Sequence, residues 1–258
     1  MAEKKQKKQR VDSLLISRKL CSSLKEAQAL VYADKVYTHD RKIKKPSELL
    51  PFGSFLGLKG KESQYVSRGG DKLFGALEQL GLLEEIKGTT ILDIGSSTGG
   101  FTDCLLQKGA KQVVAVDVGH NQLSWKLQKD PRVTSLEGTH IKDLQEKNKK
   151  PYDFIVADIS FNSLENLAPY IACASTKQNF SLLLLVKPQF ELPREKVPTG
   201  GVVTNDAHKK EAVEKAVITF EKLGLFFVSQ VESPIKGRTG NTEIFIYLKK
   251  ASLNPLSL

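Results

Sequence analysis

Residues 89–119, TTILDIGSSTGGFTDCLLQKGAKQVVAVDVG, limit the possible folds more than any other stretch of the chain. Thr89 to Ile94 is a short β-branched and apolar run of the kind that forms a buried parallel strand. It ends in Asp93 and Gly95 and passes into a turn of Ser96, Ser97, Thr98, Gly99 and Gly100. Phe101, Cys104, Leu105 and Leu106 then follow at the spacing of one helical face. After Gly109 a second apolar run, Val113 to Val116, stops at Asp117. A strand, a glycine turn, a helix and a second strand ending in a carboxylate form the first half of a nucleotide-binding α/β sheet.

The chemistry of that unit follows from its parts. Gly95, Gly99 and Gly100 allow positive φ and carry no Cβ, so a ligand can approach the backbone. Asp117 lies about twenty residues beyond the turn, the position from which an acid accepts hydrogen bonds from ribose hydroxyls. The spacing Gly95-x-x-x-Gly99-Gly100 is not the G-x-G-x-x-G of a dinucleotide site, and no Lys-Ser/Thr pair completes a phosphate-cradling loop. A nucleoside-like ligand such as S-adenosylmethionine suits it; a plain strand-to-helix connection is the alternative.

A chain of 258 residues has room for one large domain, or a large one with a small one. Its 40% hydrophobic and 26% charged residues are ordinary for a globular protein. The apolar stretch Leu182 to Val186 is strand length and far too short to span a bilayer. MAEKKQKKQR is basic, but no apolar segment follows it as a secretory signal would require. Cys21, Cys104 and Cys173 are widely separated and lack C-x-x-C spacing, which predicts reduced thiols, a cytoplasmic setting and no metal site. Of the net charge of +10, residues 1–64 carry +8, with 15 Lys+Arg against 7 Asp+Glu. Such segregation predicts a polyanionic partner, with a solvated basic face as the alternative.

In chain order, residues 1–9 read as a basic tail. Val11, Leu14, Leu15 and Leu20 recur at helical spacing, and Ser22 or Ser23 can cap a second helix through Leu24, Ala27, Leu30 and Val31. Lys35 to Thr38, a His39-Asp40 turn and Lys42-Ile43 then predict a hairpin. Residues 10–60 resemble the S4 RNA-binding domain, on Arg10-x-Asp12-x-Leu14-Leu15, Arg18, Leu20, Ala27 and Lys35-Val36-Tyr37. In that family a basic helix face and turn grip structured RNA, which makes Arg10, Arg18, Lys19 and Lys35 candidate phosphate contacts. Asp34 stands where the family usually has glycine, and His39-Asp40 replaces its Asn-Gly turn; both residue types tolerate left-handed backbone. A small basic protein-docking domain is the competing reading.

Residues 61–66 read as a linker and 67–250 as the larger domain. A helix is expected from about Gly70 to Leu80, strands at Val133–Leu136, Phe154–Ala157, Ser181–Val186, Phe226–Val231 and Thr242–Leu248, and a helix from about Asn205 to Leu223. Residues 191–204, rich in Pro and Gly, are expected to form a lid. Ligands of a doubly wound sheet bind outside the carboxyl ends of its strands. That rule selects Asp93, Asp117, Asp158 and Lys187, the last locked in direction by Pro188.

Residues 65–248 resemble the TlyA family of RNA 2′-O-ribose methyltransferases, relatives of the FtsJ/RrmJ enzymes. The likeness rests on Tyr65-Val66-Ser67-Arg68-Gly69-Gly70-x-Lys72-Leu73, on Asp93-Ile94-Gly95-x-Ser97-Thr98-Gly99-Gly100-Phe101, and on Val116-Asp117-Val118-Gly119. It continues through Ala157-Asp158-x-Ser160-Phe161, Lys187-Pro188-Gln189-Phe190-Glu191 and Gly240-Asn241-x-Glu243. The resemblance implies a Rossmann-like class I methyltransferase sheet, doubly wound, behind a small N-terminal α+β S4 domain. It implies a catalytic Lys72, Asp158, Lys187 and Glu243, a cofactor site of Asp93, Gly95, Ser97, Gly99, Gly100, Phe101, Asp117 and Asp158, and an RNA contact at Arg68. Asp158 and Lys187 are reached from the residues as well; Lys72 reads alone as a surface lysine, and Glu243 comes from the resemblance only. Thr139-His140-Ile141-Lys142 departs from the family's more frequent Asn-Ala-Arg, at the adenine side.

A ribose 2′-hydroxyl must lose its proton as it attacks a sulfonium methyl, and an amine accepts that proton only when neutral, a form favoured by burial and nearby positive charge. Lys187 is therefore the expected base, Asp158 its aligning partner and Glu243 the orienter of Lys72. The implied substrate is structured ribosomal RNA, free or within a subunit, with a cytidine target. No amphipathic membrane helix in the sequence supports the haemolysin label some members of the family carry. The other class of function is a non-catalytic RNA-binding or assembly factor that retains the fold. Equilibrium binding of labelled S-adenosylmethionine separates the two: an enzyme binds the methyl donor, whereas a pure scaffold leaves all the label free.

Overall fold

In the computed structural model, described for residues 8–18, 20–38, 41–51, 56–58, 63–144 and 150–250, the chain divides into two units, residues 1–62 and 63–258. The expected tail residues 1–7, Lys19 and the His39-Asp40 turn lie outside the described residues.

The smaller unit begins with strand β1 (Lys8–Arg10), where a featureless tail was expected through residue 9. Helices α1 (Val11–Ser17) and α2 (Leu24–Tyr32) follow, then strands β2 (Val36–Tyr37), β3 (Leu49–Pro51) and β4 (Gly57–Leu58). β1 pairs antiparallel with β3, and β2 with β4. The helices exist because Val11, Leu14, Leu15, Ala27 and Val31 share one apolar core with Val36, Ile43 and Leu50. Ser23 caps α2 by accepting from the Glu26 N–H at 3.2 Å, while Glu26 Oε2 accepts from the Ser22 N–H at 2.8 Å. Asp34 takes a left-handed φ of 56° after α2, so the position normally given to glycine is met by an aspartate.

The larger unit starts at Ser63, and Tyr65 and Val66 belong to it: Tyr65 is buried beside Phe74, and the Val66 N–H donates to Asp103 Oδ2 at 2.9 Å. Its elements are α3 (Arg68–Gln79), α4 (Leu83–Ile86), β5 (Thr90–Ile94), α5 (Gly100–Gln107), β6 (Gln112–Val116), α6 (Trp125–Gln128) and β7 (Val133–Leu136). Then come β8 (Phe154–Ala157), α7 (Leu164–Ala172), β9 (Phe180–Val186), α8 (Pro188–Glu191), α9 (Asp206–Glu221), β10 (Phe226–Glu232) and β11 (Ile244–Lys250). Seven strands form one sheet in the order β10-β11-β9-β8-β5-β6-β7, parallel except for β11 against β9 and β10 against β11. Alternation along each strand feeds two cores, one on each face. Leu92 and Ile94 join the core with α7 and α9, whereas Ile91 joins the core with α3 and α5.

After β5 the chain builds outward through β6 and β7, then returns to add β8 on the other side of β5. This reversal opens a crevice at the carboxyl ends of β5 and β8. The two ends stand so close that a Cβ on Gly95, whose φ is 78°, would sit 2.5 Å from the Asp158 carbonyl oxygen. A Cβ on Gly100 would meet Ser67 Oγ at 2.2 Å and the Gly70 nitrogen at 2.8 Å, where α5 starts against α3. Both bare backbones admit other chain segments, where sequence spacing suggested room for a ligand.

The expected lid is anchored at its far end. Buried Asn241 accepts from the Val203 N–H at 2.8 Å and donates to the Gly201 carbonyl at 2.7 Å, so residues 201–203 are fastened to the turn before β11. Gly100→Ala, which forces α5 away from α3, is expected to lower unfolding stability by about 1–3 kcal/mol, read as a reduced denaturant midpoint at unchanged slope.

Candidate active site

A cavity of about 830 Å³ lies at the crevice, within the range of small-molecule sites. Among the titratable side chains that line it, four come together in pairs from distant parts of the chain: Lys72 on α3, Asp158 after β8, Lys187 after β9 and Glu243 before β11. Lys187 Nζ stands 2.5 Å from Asp158 Oδ1 and donates to Ser160 Oγ at 2.7 Å. The approach to Asp158 is too poorly aligned for a hydrogen bond and is an ion pair by distance. Lys72 Nζ donates to Glu243 Oε2 at 2.6 Å. Both lysines and Glu243 are at least nine-tenths buried. Lys72, readable in the sequence as a surface lysine, is instead turned toward β11 across 171 positions of sequence.

The remaining wall comes from the same strand ends. Asp117 Oδ2 accepts from the Ser97 N–H at 2.8 Å and Oδ1 from the Gly119 N–H at 2.8 Å, tying the glycine turn to the end of β6. Ser97 is held at a φ of 48°. Each oxygen of Asp117 keeps lone-pair capacity for a further donor. Gly95, Ser97, Gly100, Phe101, Asp117 and Asp158 all line the cavity. Asp93 and Gly99 do not: Gly99 faces Leu127 and Leu123, and Asp93 is fully buried with Oδ2 accepting from Thr102 Oγ1 at 2.6 Å. Burial pushes the Asp93 carboxyl up to about 7; the Thr102 hydrogen bond opposes this, and the charges of Asp158 and Asp117 add to it.

Among the residues given no site role from the sequence that also reach the wall are Ser160, Gln189, Arg238 and Thr239. The first two follow strand-end acids or bases by two residues, a signal that was available. The last two sit in a turn whose place is set by Asn241. Gln189 Oε1 is buried and has no hydrogen-bond partner among the described residues. An acceptor left without a donor, the carboxylates of Asp117 and Asp158 at the wall and apolar flanks of Val116, Val118 and Ile141 fit a cationic nucleoside such as S-adenosylmethionine. Asp117 and Ser97 would hold its ribose end, and Asp158 and Gln189 would face its charged end.

Of the expected RNA contacts, Arg68 is exposed at the cavity and Lys35 is exposed on the smaller unit. Arg10 is committed through two donors to Asp12, at 3.0 and 2.6 Å, and Arg18 is half-buried with an interaction of its own. Among the described residues no three or more His, Cys, Asp and Glu side chains cluster as metal ligands would.

Residues 65–250 match the model of the FtsJ-like methyltransferase family, and the chain belongs to that family. More particularly, it is 39% identical over 251 residues to the "16S/23S rRNA (cytidine-2'-O)-methyltransferase TlyA" of Mycobacterium tuberculosis, covering 96% of this chain and 92% of that relative. It is 37% identical to "Hemolysin A" of Brachyspira hyodysenteriae, covering 91% and 97% of the two chains. The solved structure "Putative hemolysin from Streptococcus thermophilus" is 36% identical, covers 96% of this chain and 90% of its own, and superposes with a TM-score of 0.72.

The buried Asp93 has a consequence for stability. The folded chain keeps its proton up to about pH 7, whereas an exposed aspartate releases it near pH 4, about. Between those values the folded state binds more protons than the unfolded one, so this group's contribution falls as pH rises. Asp93→Asn cannot ionise. The difference in unfolding free energy between variant and parent is therefore expected to move in the variant's favour from pH 4 to 7, about, and a pH series of denaturant melts measures it.

Proposed function

We propose that this chain transfers a methyl group from S-adenosylmethionine to a ribose 2′-hydroxyl of ribosomal RNA, at a cytidine. The observation that carries this reading is the convergence of Lys187–Asp158 and Lys72–Glu243 on one cavity beside the glycine turn. Burying Lys72, Lys187 and Glu243, with Asp158 partly covered, costs on the order of several kcal/mol per fully buried ion, which a scaffold that only grips RNA has no need to meet. The TlyA relative is named as a methyltransferase acting on the cytidine 2′-oxygen of 16S and 23S rRNA, and 39% identity over 96% of this chain supports the same reaction here.

S-adenosylmethionine, when bound, supplies an electrophilic methyl on a positively charged sulfur. The chain's own residues do the rest. Asp158 and Ser160 hold the Lys187 amine in one direction, and in its neutral form Lys187 takes the proton of the 2′-hydroxyl at Nζ. Glu243 holds Lys72 across the cavity and neutralises it, leaving its remaining N–H donors for the reacting oxygen. Asp93 acts from behind the wall: its bond to Thr102 fixes the start of α5 against β5, and the Gly95–Gly100 turn lies between them.

The smaller unit is the RNA grip, as an S4 domain, with its exposed Lys35 toward the phosphates. A ribosomal RNA substrate implies a cytoplasmic setting for the protein. No described helix is long and apolar enough to cross a membrane.

Lys187→Ala is expected to lower methyl transfer by at least about a thousandfold while S-adenosylmethionine and RNA affinities stay near those of the parent. Single-turnover transfer of labelled methyl to unmethylated rRNA, followed by nuclease digestion and mass spectrometry of the nucleosides, reads both rate and position. Near-normal turnover by the variant removes Lys187 from the role of base, and label on a nucleobase removes the ribose reading.

A further inference from the structure

Arg238 is an exposed guanidinium on the cavity wall, with no hydrogen-bond or ion-pair partner among the described residues. We infer that it binds a backbone phosphate of the RNA strand presented to the site, on the same cavity wall as Arg68; the inference rests on the function proposed above.

The first argument is rigidity. Residues 237–241 form a turn closed by two backbone bonds, Gly237 N–H to the Asn241 carbonyl at 2.9 Å and Gly240 N–H to the Gly237 carbonyl at 2.9 Å. Fully buried Asn241 braces it, reaching Thr239 Oγ1 at 3.2 Å within the turn and Gly201 and Val203 outside it. A Cβ on Gly237 would lie 2.3 Å from Glu243 Oε1, so the turn is folded directly over the carboxylate that holds Lys72. Such a base presents its side chain at little further cost in backbone order.

The second argument is placement. Arg68 precedes Lys72 by one helical turn of α3 and so shares its face. Arg238 precedes Glu243 by the length of the turn. The Lys72–Glu243 bond of 2.6 Å therefore fastens together the segments that carry the two guanidiniums, and both line the same cavity. Arg68 is likewise exposed and unpartnered among the described residues.

The third argument is charge. Inside the cavity each lysine is matched by a carboxylate, so the two arginines supply unspent positive charge at its wall. A nucleotide that delivers its 2′-hydroxyl to Lys187 brings a phosphate on each side of its ribose, and a planar guanidinium matches phosphate oxygens two at a time. The same charge could instead meet the carboxylate of S-adenosylmethionine, and the measurement below separates the two anions.

The test uses the full-length protein, in vitro-transcribed and hence unmethylated rRNA, and S-adenosylmethionine, with Arg238→Ala and Arg238→Lys compared. The alanine variant is expected to bind RNA about tenfold more weakly and to show a salt slope of log K reduced by about 1. Its KM for RNA rises while kcat and S-adenosylmethionine affinity hold, and the lysine variant recovers a large part of the loss. Unchanged RNA affinity and slope overturn the inference. So does weakened S-adenosylmethionine binding with intact RNA binding, which assigns Arg238 to the methyl donor. If the parent binds RNA but methylates no ribose, the proposed reaction fails, while the RNA-binding comparison still decides Arg238.

Discussion

The larger unit is arranged around two lysine–carboxylate pairs at the carboxyl edge of its sheet, three of their four side chains buried and the fourth, Asp158, partly so. Lys187 with Asp158 and Lys72 with Glu243 come from segments after β8 and β9, from α3 and from the residue just before β11. A hydrophobic replacement of similar volume would satisfy the fold as well or better, because desolvating ions offsets most of their attraction. Their presence at the point where the strand order reverses is therefore a chemical requirement that the fold accommodates. The strongly apolar strands beneath them, with Leu182 to Val186 almost wholly buried, supply the stability that this accommodation draws on.

The same economy of space governs the glycine turn. In isolation it looks like a cradle for a ligand, yet two of its glycines are bare because the protein itself occupies the volume: the Asp158 carbonyl beside Gly95, and α3 against Gly100. The contact at Gly95 sets how near the ends of β5 and β8 can come, and hence the width of the crevice. Asp117 completes the arrangement by accepting from the backbone of the turn, so the acid that faces the cavity also shapes it. Cofactor recognition and strand packing are in this way one geometric problem, solved by the absence of side chains at two positions.

Much of this was legible in advance. The parallel strands fall within two residues of their apolar runs, since β5, β6, β8 and β9 are nearly continuous apolar segments that turn residues bound on each side. The left-handed backbone after α2 was anticipated at Asp34, because few other residue types accept it. Strand β1 was not anticipated: three residues, Lys-Gln-Arg, carry no alternation and become a strand only by pairing with Leu49–Pro51. Nor was the anchoring of residues 201–203, which depends on a single asparagine some forty positions away.

What the sequence alone determined is therefore the order of elements, the sheet-forming runs and the acids and amine at their ends, because those follow from local periodicity and from the rule that α/β ligands bind at strand termini. The tertiary structure decided which charges matter. Lys72 is one lysine among many until α3 turns it onto Glu243, and Asp93 is a strand-end acid like Asp117 until the pleat points it away from the cavity and toward Thr102. Periodicity assigns a residue to a face of its own element. Only the packing of elements far apart in the chain settles whether that face meets water, a hydrophobic core or another charge.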